Sequence, residues 1–279
     1  MAEMLVKPDQ SSHWYKPDGT PCYEVPYADK KRVGEMRSTT LGDARKMGLY
    51  PSVTSILSVI AKEGLIAWKL EQMLLAALTI TRLPDEPETS WVRRITDDAK
   101  DTSMRAADRG TRTHTAIQDW GHSGKITDDA EVFDSLLAYV GWHQAHVKRI
   151  LHIETPFACE AGYGGRNDLV VELLNDDIAE IDLKTKTTKK GEPIKPYIEW
   201  GMQLAAYERG LILPENCRLL NVVLSTTEPN RLEVFEWTDK KNGLYHGFYQ
   251  AFNLWKFLKD YDPTVKADRC KKYSKKFTL

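Results

Sequence analysis

The 279-residue chain has no long apolar run. Its longest apolar patch, around 74–80, is interrupted by Thr79 and flanked by charge. No segment approaches the roughly 20 apolar residues that a membrane-crossing helix needs, so no membrane partner is expected. Cysteine is sparse: Cys22, Cys159, Cys217 and Cys270 are scattered, with no C-x-x-C pair and no histidine at ligand spacing beside them. That argues against zinc fingers, local iron–sulfur motifs and a disulfide framework, and for reduced thiols in a cytoplasmic protein. Glu3, Lys7 and Asp9 interrupt any signal-peptide pattern, and no Arg-rich, acid-poor transit segment opens the chain. Net charge is also small, at −1. A protein held on nucleic acid by bulk charge alone is thereby excluded, but a local basic groove is not.

What is present is ordinary globular material, 42% hydrophobic and 28% charged, enough for a core. Lysine and arginine cluster at Lys184, Lys186, Lys189, Lys190 and Lys195, and again in a basic tail over 263–279. Residues 1–49 read as an extension of short strands and loops, with a K-P-D-G turn at 16–19 and no visible chemistry. From Tyr50 the pattern turns helical, with Ser52 or Thr54 as the cap. A helix is expected over 64–80, with Leu65, Trp68, Leu70 and Leu74 near helical spacing and Trp68 in the core, and a second from Thr96 to about Trp120. A third is expected over 128–149. Alternation then predicts a strand over 150–157 carrying Glu154, a hairpin over 162–186, and a basic loop over 185–196. A helix over 197–211, capped near Gly210, two strands over 218–225 and 231–237, and a final helix over 244–258 complete the order. The fold class is α/β of the α+β type, a small mixed sheet flanked by helices. One domain is expected over 50–262, with a helical region over 50–149 that walls a cleft and a core over 150–262.

The hairpin carries the chemistry. Its second strand reads I-D-L-K-T, and period two puts Asp182 and Lys184 on one face. Asp168 lies on the neighbouring strand. Two carboxylates and the Leu183 carbonyl offer hard oxygen ligands of the kind Mg2+ or Mn2+ prefers. Lys184 can orient a water or stabilise a pentavalent phosphate. Gly164 and Gly165 would let a phosphate or another strand come close. His114, on a helix face with Gln118, could add an imidazole that shifts preference toward Mn2+. On the 197–211 helix, Trp200, Gln203 and Tyr207 share a face.

Six stretches occur in one order: P-S-V-T-S-I-L at 51–57, R-G-T-R-T-H at 109–114, I-E-T-P at 153–156, G-Y-G-G-R-N-D at 162–168, I-D-L-K-T at 181–185 and Q-L-A-A-Y at 203–207. In this the chain resembles the PD-(D/E)xK nuclease superfamily, in its RecB-like exonuclease branch. It is most similar to the mitochondrial genome maintenance exonuclease family and its phage and bacterial relatives. The resemblance covers about residues 50–210. It implies a restriction-endonuclease-like core and a metal-dependent exonuclease acting on DNA. His114, Asp168, Asp182 and the Leu183 carbonyl would hold the metal, and Lys184 would be the catalytic lysine. Gln203 and Tyr207 would contact the DNA backbone, and Thr185 and Lys186 would meet a phosphate. Glu154 matches a recurrent acid, either a ligand or a structural group. The four-cysteine iron–sulfur cluster of some relatives has no counterpart here, and Asp182 stands where many members have Glu. Two other readings stay open: a duplex-end-resecting recombination enzyme working with a strand-annealing partner, and a nuclease-like DNA-binding module without turnover. The choice between single-stranded and duplex ends is not decided by sequence.

Overall fold

The computed structural model describes residues 13–265; the basic tail from residue 266 onward and residues 1–12 lie outside them. The described chain is a mixed α+β structure in two compact units, one spanning 61–136 and the other joining 10–60 to the stretch from 137 onward. Among the described residues no helix is long and apolar enough to cross a membrane.

The second unit begins with short elements: β1 (Trp14–Tyr15), β2 (Glu24–Pro26), β3 (Met36–Ser38), α1 (Leu41–Met47), β4 (Tyr50–Pro51) and α2 (Val53–Leu57). β1 pairs with β4 and β2 with β3. Thr40 and Asp43 form a reciprocal capping box on α1, and Gly48 ends it at φ 66°. Ser52 is the cap of α2, its oxygen accepting the Ser55 N–H.

The first unit holds α3 (Glu63–Thr79) and α4 (Glu88–Ser123). α4 starts at Glu88 rather than Thr96: Pro87 is the cap residue, at φ −58° and ψ 140°, and the acid of Glu88 suits the first turn. Thr96 is interior, and its hydroxyl donates to the Val92 carbonyl at 2.8 Å. The turn between the helices is tied by Trp91 Nε1 donating to the Ile80 carbonyl at 2.8 Å and by the Arg94–Glu86 ion pair at 2.7 Å. Leu65, Leu70 and Leu74, which share helical spacing, are exposed, and Trp68 is half-buried.

α5 (Phe133–His146) is shorter than the pattern predicts, since the chain turns directly into β5 (Val147–Ile153). There follow β6 (Pro156–Cys159), β7 (Tyr163–Arg166), β8 (Leu169–Leu173), β9 (Ile178–Lys186), α6 (Ile198–Leu211), β10 (Arg218–Ser225), β11 (Leu232–Glu236) and α7 (Lys241–Lys259). The main sheet has the order β11-β10-β9-β8-β5. β9 and β10 are parallel and joined through α6, while the other pairs are antiparallel. A parallel pair needs a crossover of this kind and is buried on both faces. That explains the near-continuous burial of β9 and β10.

The alternating stretch 150–157 is two strands, not one. Glu154 sits between them at φ 46°, and β5 belongs to the main sheet while β6 pairs with β7. The partner strand breaks at the same level, at Asn167 and Asp168 between β7 and β8. The ladder is continued through the corner by side chain and backbone together. The Asn167 amide oxygen accepts the Thr155 N–H at 3.0 Å, and the Glu154 N–H donates to the Asp168 carbonyl at 2.9 Å. Asp168 therefore stands at the mouth of β8 instead of on a strand.

Phe157, Tyr163, Tyr207, Phe248, Phe252 and Trp255 share one core with Trp14, Val53 and Ile56. Glycines make room for the rings. A Cβ on Gly164 would meet Tyr15 at 2.7 Å, and one on Gly165 would meet Phe157 at 2.7 Å. These two glycines accept aromatic side chains, and Gly164 also bridges Ser52, so of the two approaches expected there the structure shows that of another strand. Gly210 is likewise a contact for Phe157 within α6 and not a cap; the residue that ends the helix in the left-handed region is Ile212, at φ 55°.

Candidate metal centre

β9 outruns β8. The two pair from Glu172–Ile178 to Leu169–Ile181, after which β9 continues to Lys186 beside β10. Where the next β8 carbonyl would have stood, the Asp168 carboxylate takes over, and its Oδ2 accepts the Leu183 N–H at 2.7 Å. In an extended strand the N–H and C=O of one residue point to the same edge. The Leu183 carbonyl thus faces the Asp168 edge of β9, as a third oxygen ligand requires.

Asp182 and Lys184 share a face as their spacing predicts. Lys184 Nζ lies 2.9 and 2.8 Å from the two Asp182 oxygens and donates to Gln203 Oε1 at 3.2 Å. Gln203 Nε2 donates to the Tyr207 hydroxyl at 3.0 Å. Tyr207 is buried, with its ring edge-on to Phe157 at 5.3 Å, so it bears on the site through Gln203. Thr185 and Lys186 are half-buried at the end of β9, where Lys186 Nζ reaches the Lys195 carbonyl at 3.2 Å and lies over the Tyr197 ring.

Glu154 and Asp168, the two acids of the corner, bring carboxylate oxygens within 4.8 Å of each other. Arg166 Nη1 lies 3.3 Å from Glu154 Oε2. His114 is half-buried on α4, in the helical unit. In its motif, Arg109 donates to the Glu131 carbonyl at 2.6 Å, and Arg112 pairs with Asp108, Asp129 and Glu131. Those guanidiniums are committed within their own unit.

Three residues of the site escape the sequence motifs. Asn221 of β10 is fully buried in register with Asp182, donating from Nδ2 to Asp182 Oδ2 at 2.6 Å. The Trp237 indole N–H donates to Asn221 Oδ1 at 2.7 Å, which settles which way the amide points. Glu180 lies on the same face of β9 as Asp182, with no exposure and no hydrogen-bond partner for its carboxyl group among the described residues. Burial pushes its carboxyl well above the ordinary range, and the charges of Asp182, Glu208 and Asp168 push the same way. The signals for these residues were a lone Asn in the apolar run R-L-L-N-V-V-L, and a third polar residue in the period-two series of I-A-E-I-D-L-K.

The donors fit a hard divalent cation. The set consists of carboxylate and carbonyl oxygens, and the negative field of Asp182 and Asp168 reaches both Tyr207 and Glu180, raising each after burial has done so.

No family model matches the chain, and no curated protein matches it. Among solved structures, the chain is similar to one described as the crystal structure of SSO0001, at 14% identity, with 67% of this chain and 85% of that one covered and a TM-score of 0.27.

Proposed function

We propose that the chain is a Mg2+- or Mn2+-dependent deoxyribonuclease that hydrolyses phosphodiester bonds from DNA ends. The observation that carries the reading is the linked set at the end of β9. Asp168 is fixed on the Leu183 N–H, Asp182 is held between Lys184 and Asn221, and Lys184 is shared with Gln203. Asp168, Asp182 and the Leu183 carbonyl would hold the metal, with Glu154 close enough to Asp168 to join them. His114 is proposed as a further ligand on its sequence motif alone. A divalent ion bound there supplies charge neutralisation on the phosphate and an acidified water.

The chain's own residues have separable tasks. The Lys184 ammonium orients the attacking water and offsets charge on the non-bridging oxygens as the water oxygen bonds to phosphorus and one bridging P–O bond breaks. Gln203, steered by Tyr207, keeps Lys184 at that position. Lys186 and Thr185 lie one step further along the strand, where the adjacent phosphate of the substrate passes. The proposed location is the cytoplasm of a bacterial or phage-infected cell; what supports a reducing compartment is that Cys22, Cys159 and Cys217 are free cysteines.

The test uses linear single-stranded, linear duplex and closed circular DNA, labelled at either end, with Mg2+ or Mn2+. Linear DNA should be shortened from an end, and Lys184→Ala should abolish this while circular dichroism is unchanged. Full activity in Lys184→Ala, or none in the wild type with either ion, overturns the reading. Circles cut as fast as linear DNA would make it an endonuclease. A requirement for duplex ends would favour a resecting enzyme with a strand-annealing partner.

A further inference from the structure

The residues before α1, in which the sequence shows no chemistry, deliver rings to the acid corner. The His13 and Tyr23 rings are in contact, with centroids 4.7 Å apart and planes tilted by 34°. Tyr15 meets Tyr23 edge-on at 5.8 Å, and their hydroxyls are 2.9 Å apart. Position is imposed by the fold: the His13 carbonyl accepts the Ser52 N–H at 2.9 Å, and the Tyr15 ring is packed on Gly164. Arg166 leaves β7 two residues before Asp168. Its guanidinium lies 5.9 Å from the Tyr23 centroid and 3.3 Å from Glu154 Oε2.

Anchoring does not account for this strip. Trp14 and Tyr15 are the buried residues of β1 and do the anchoring, whereas His13 and Arg166 are exposed and Tyr23 half-exposed. Partial desolvation against its neighbours and the Arg166 charge both lower the His13 pKa, which favours the uncharged ring. A neutral ring backed by a second ring, with a guanidinium beside it, is the arrangement by which proteins hold unpaired bases and their phosphates.

We infer that His13, Tyr23 and Arg166 form a subsite for a single-stranded DNA end, the two rings stacking an unpaired base and Arg166 meeting its phosphate. The inference rests on the nuclease reading of the acids, since the strip leads away from Glu154 and Asp168. It assigns single-stranded ends, or frayed duplex ends, as the substrate class.

The test measures binding of the full chain in EDTA, where metal-dependent cutting is silent, to three fluorescent probes. These are an oligo-dT strand, the same strand with abasic spacers at its terminal positions, and a blunt duplex. Wild type should prefer oligo-dT to the abasic strand by about fivefold to tenfold. His13→Ala and Tyr23→Leu should erase that preference, and Arg166→Gln should weaken both single strands alike. Tyr23→Leu also removes the bond to Tyr15, so His13→Ala decides the matter if it fails to fold. Unchanged oligo-dT preference in His13→Ala, or no preference in wild type, overturns the inference. A ring-dependent preference in a protein that cuts nothing with either metal would sink the nuclease reading and leave the subsite standing.

Discussion

Asn221 donates to Asp182 at 2.6 Å while accepting the Trp237 indole N–H at 2.7 Å, so a buried indole sets the rotamer of an acid two strands' edges away through a single amide. Outer partners of this kind are worth about 10- to 100-fold in metal affinity or activity. Asn221→Ala should lower kcat within that range with KM for DNA nearly unchanged, and should raise the Mn2+ concentration giving half-maximal rate. Trp237→Phe should act in the same direction and more weakly. Both are read by end-labelled DNA cleavage across a metal titration. A change in Tm alone, with the metal curve unmoved, would make Asn221 a packing residue only.

Glu154 combines a left-handed backbone with a carboxylate at the acid corner. The two roles can be separated. Glu154→Gly removes a strain of about 1 kcal/mol or more and should hold or raise stability, yet weaken Mn2+ binding. Glu154→Gln should weaken the metal without the backbone gain. Calorimetric Mn2+ titration and urea unfolding measure the two effects. If neither substitution alters Mn2+ affinity, the acid serves the corner alone.

Glu180 provides a pH signature. Its folded pKa is raised by burial above an ordinary value of 4.5, so the native chain binds more protons than the unfolded chain as pH rises past that value. Stability then falls with pH, the slope being set by that proton difference. Its contribution is full below about pH 4.5 and is lost as pH climbs toward the folded pKa. Glu180→Gln should become increasingly more stable than wild type as pH rises from 5 to 8 in EDTA, by urea unfolding. Parallel curves across that range would mean Glu180 is ionised in the fold.

A methyl group on Gly210 would fall 2.1 Å from the Phe157 ring. Overpacking of this degree costs about 1–3 kcal/mol. Gly210→Ala should lower the urea midpoint accordingly, and Phe157→Leu in the same chain should recover part of the loss. A midpoint unchanged in Gly210→Ala would mean that α6 can move off the ring without cost.

The hairpin and the Asp182–Lys184 adjacency were legible because period two forces the geometry within three residues. The Lys184–Gln203 contact was half legible: the helix face could be read, but not the crossover that lays it on β9. The corner was hidden, since alternation runs from Ile150 to Phe157 without a break and Glu154 is no turn residue by type. Asn221 lies 39 positions from Asp182, and only strand register brings them together. The leucines of α3 gave the helix but not their exposure, because an apolar helix face states that it wants cover without stating where. The rings of His13 and Tyr23 gave no periodic signal at all.

The strand unit is interrupted in sequence, taking residues 10–60 and then resuming at 137. Its Trp14 ring meets Trp255 and Tyr261, and Tyr261 donates its hydroxyl to the Ala44 and Leu49 carbonyls at 3.0 and 2.7 Å. During synthesis, then, the early segment cannot reach its resting place until more than two hundred later residues have been made. Helices 63–123 have every contact of their own unit available long before that. The polypeptide should consequently emerge with its insert made before its host can close, and α7 acts as the latch on the hairpin that carries Asp168 and Asp182.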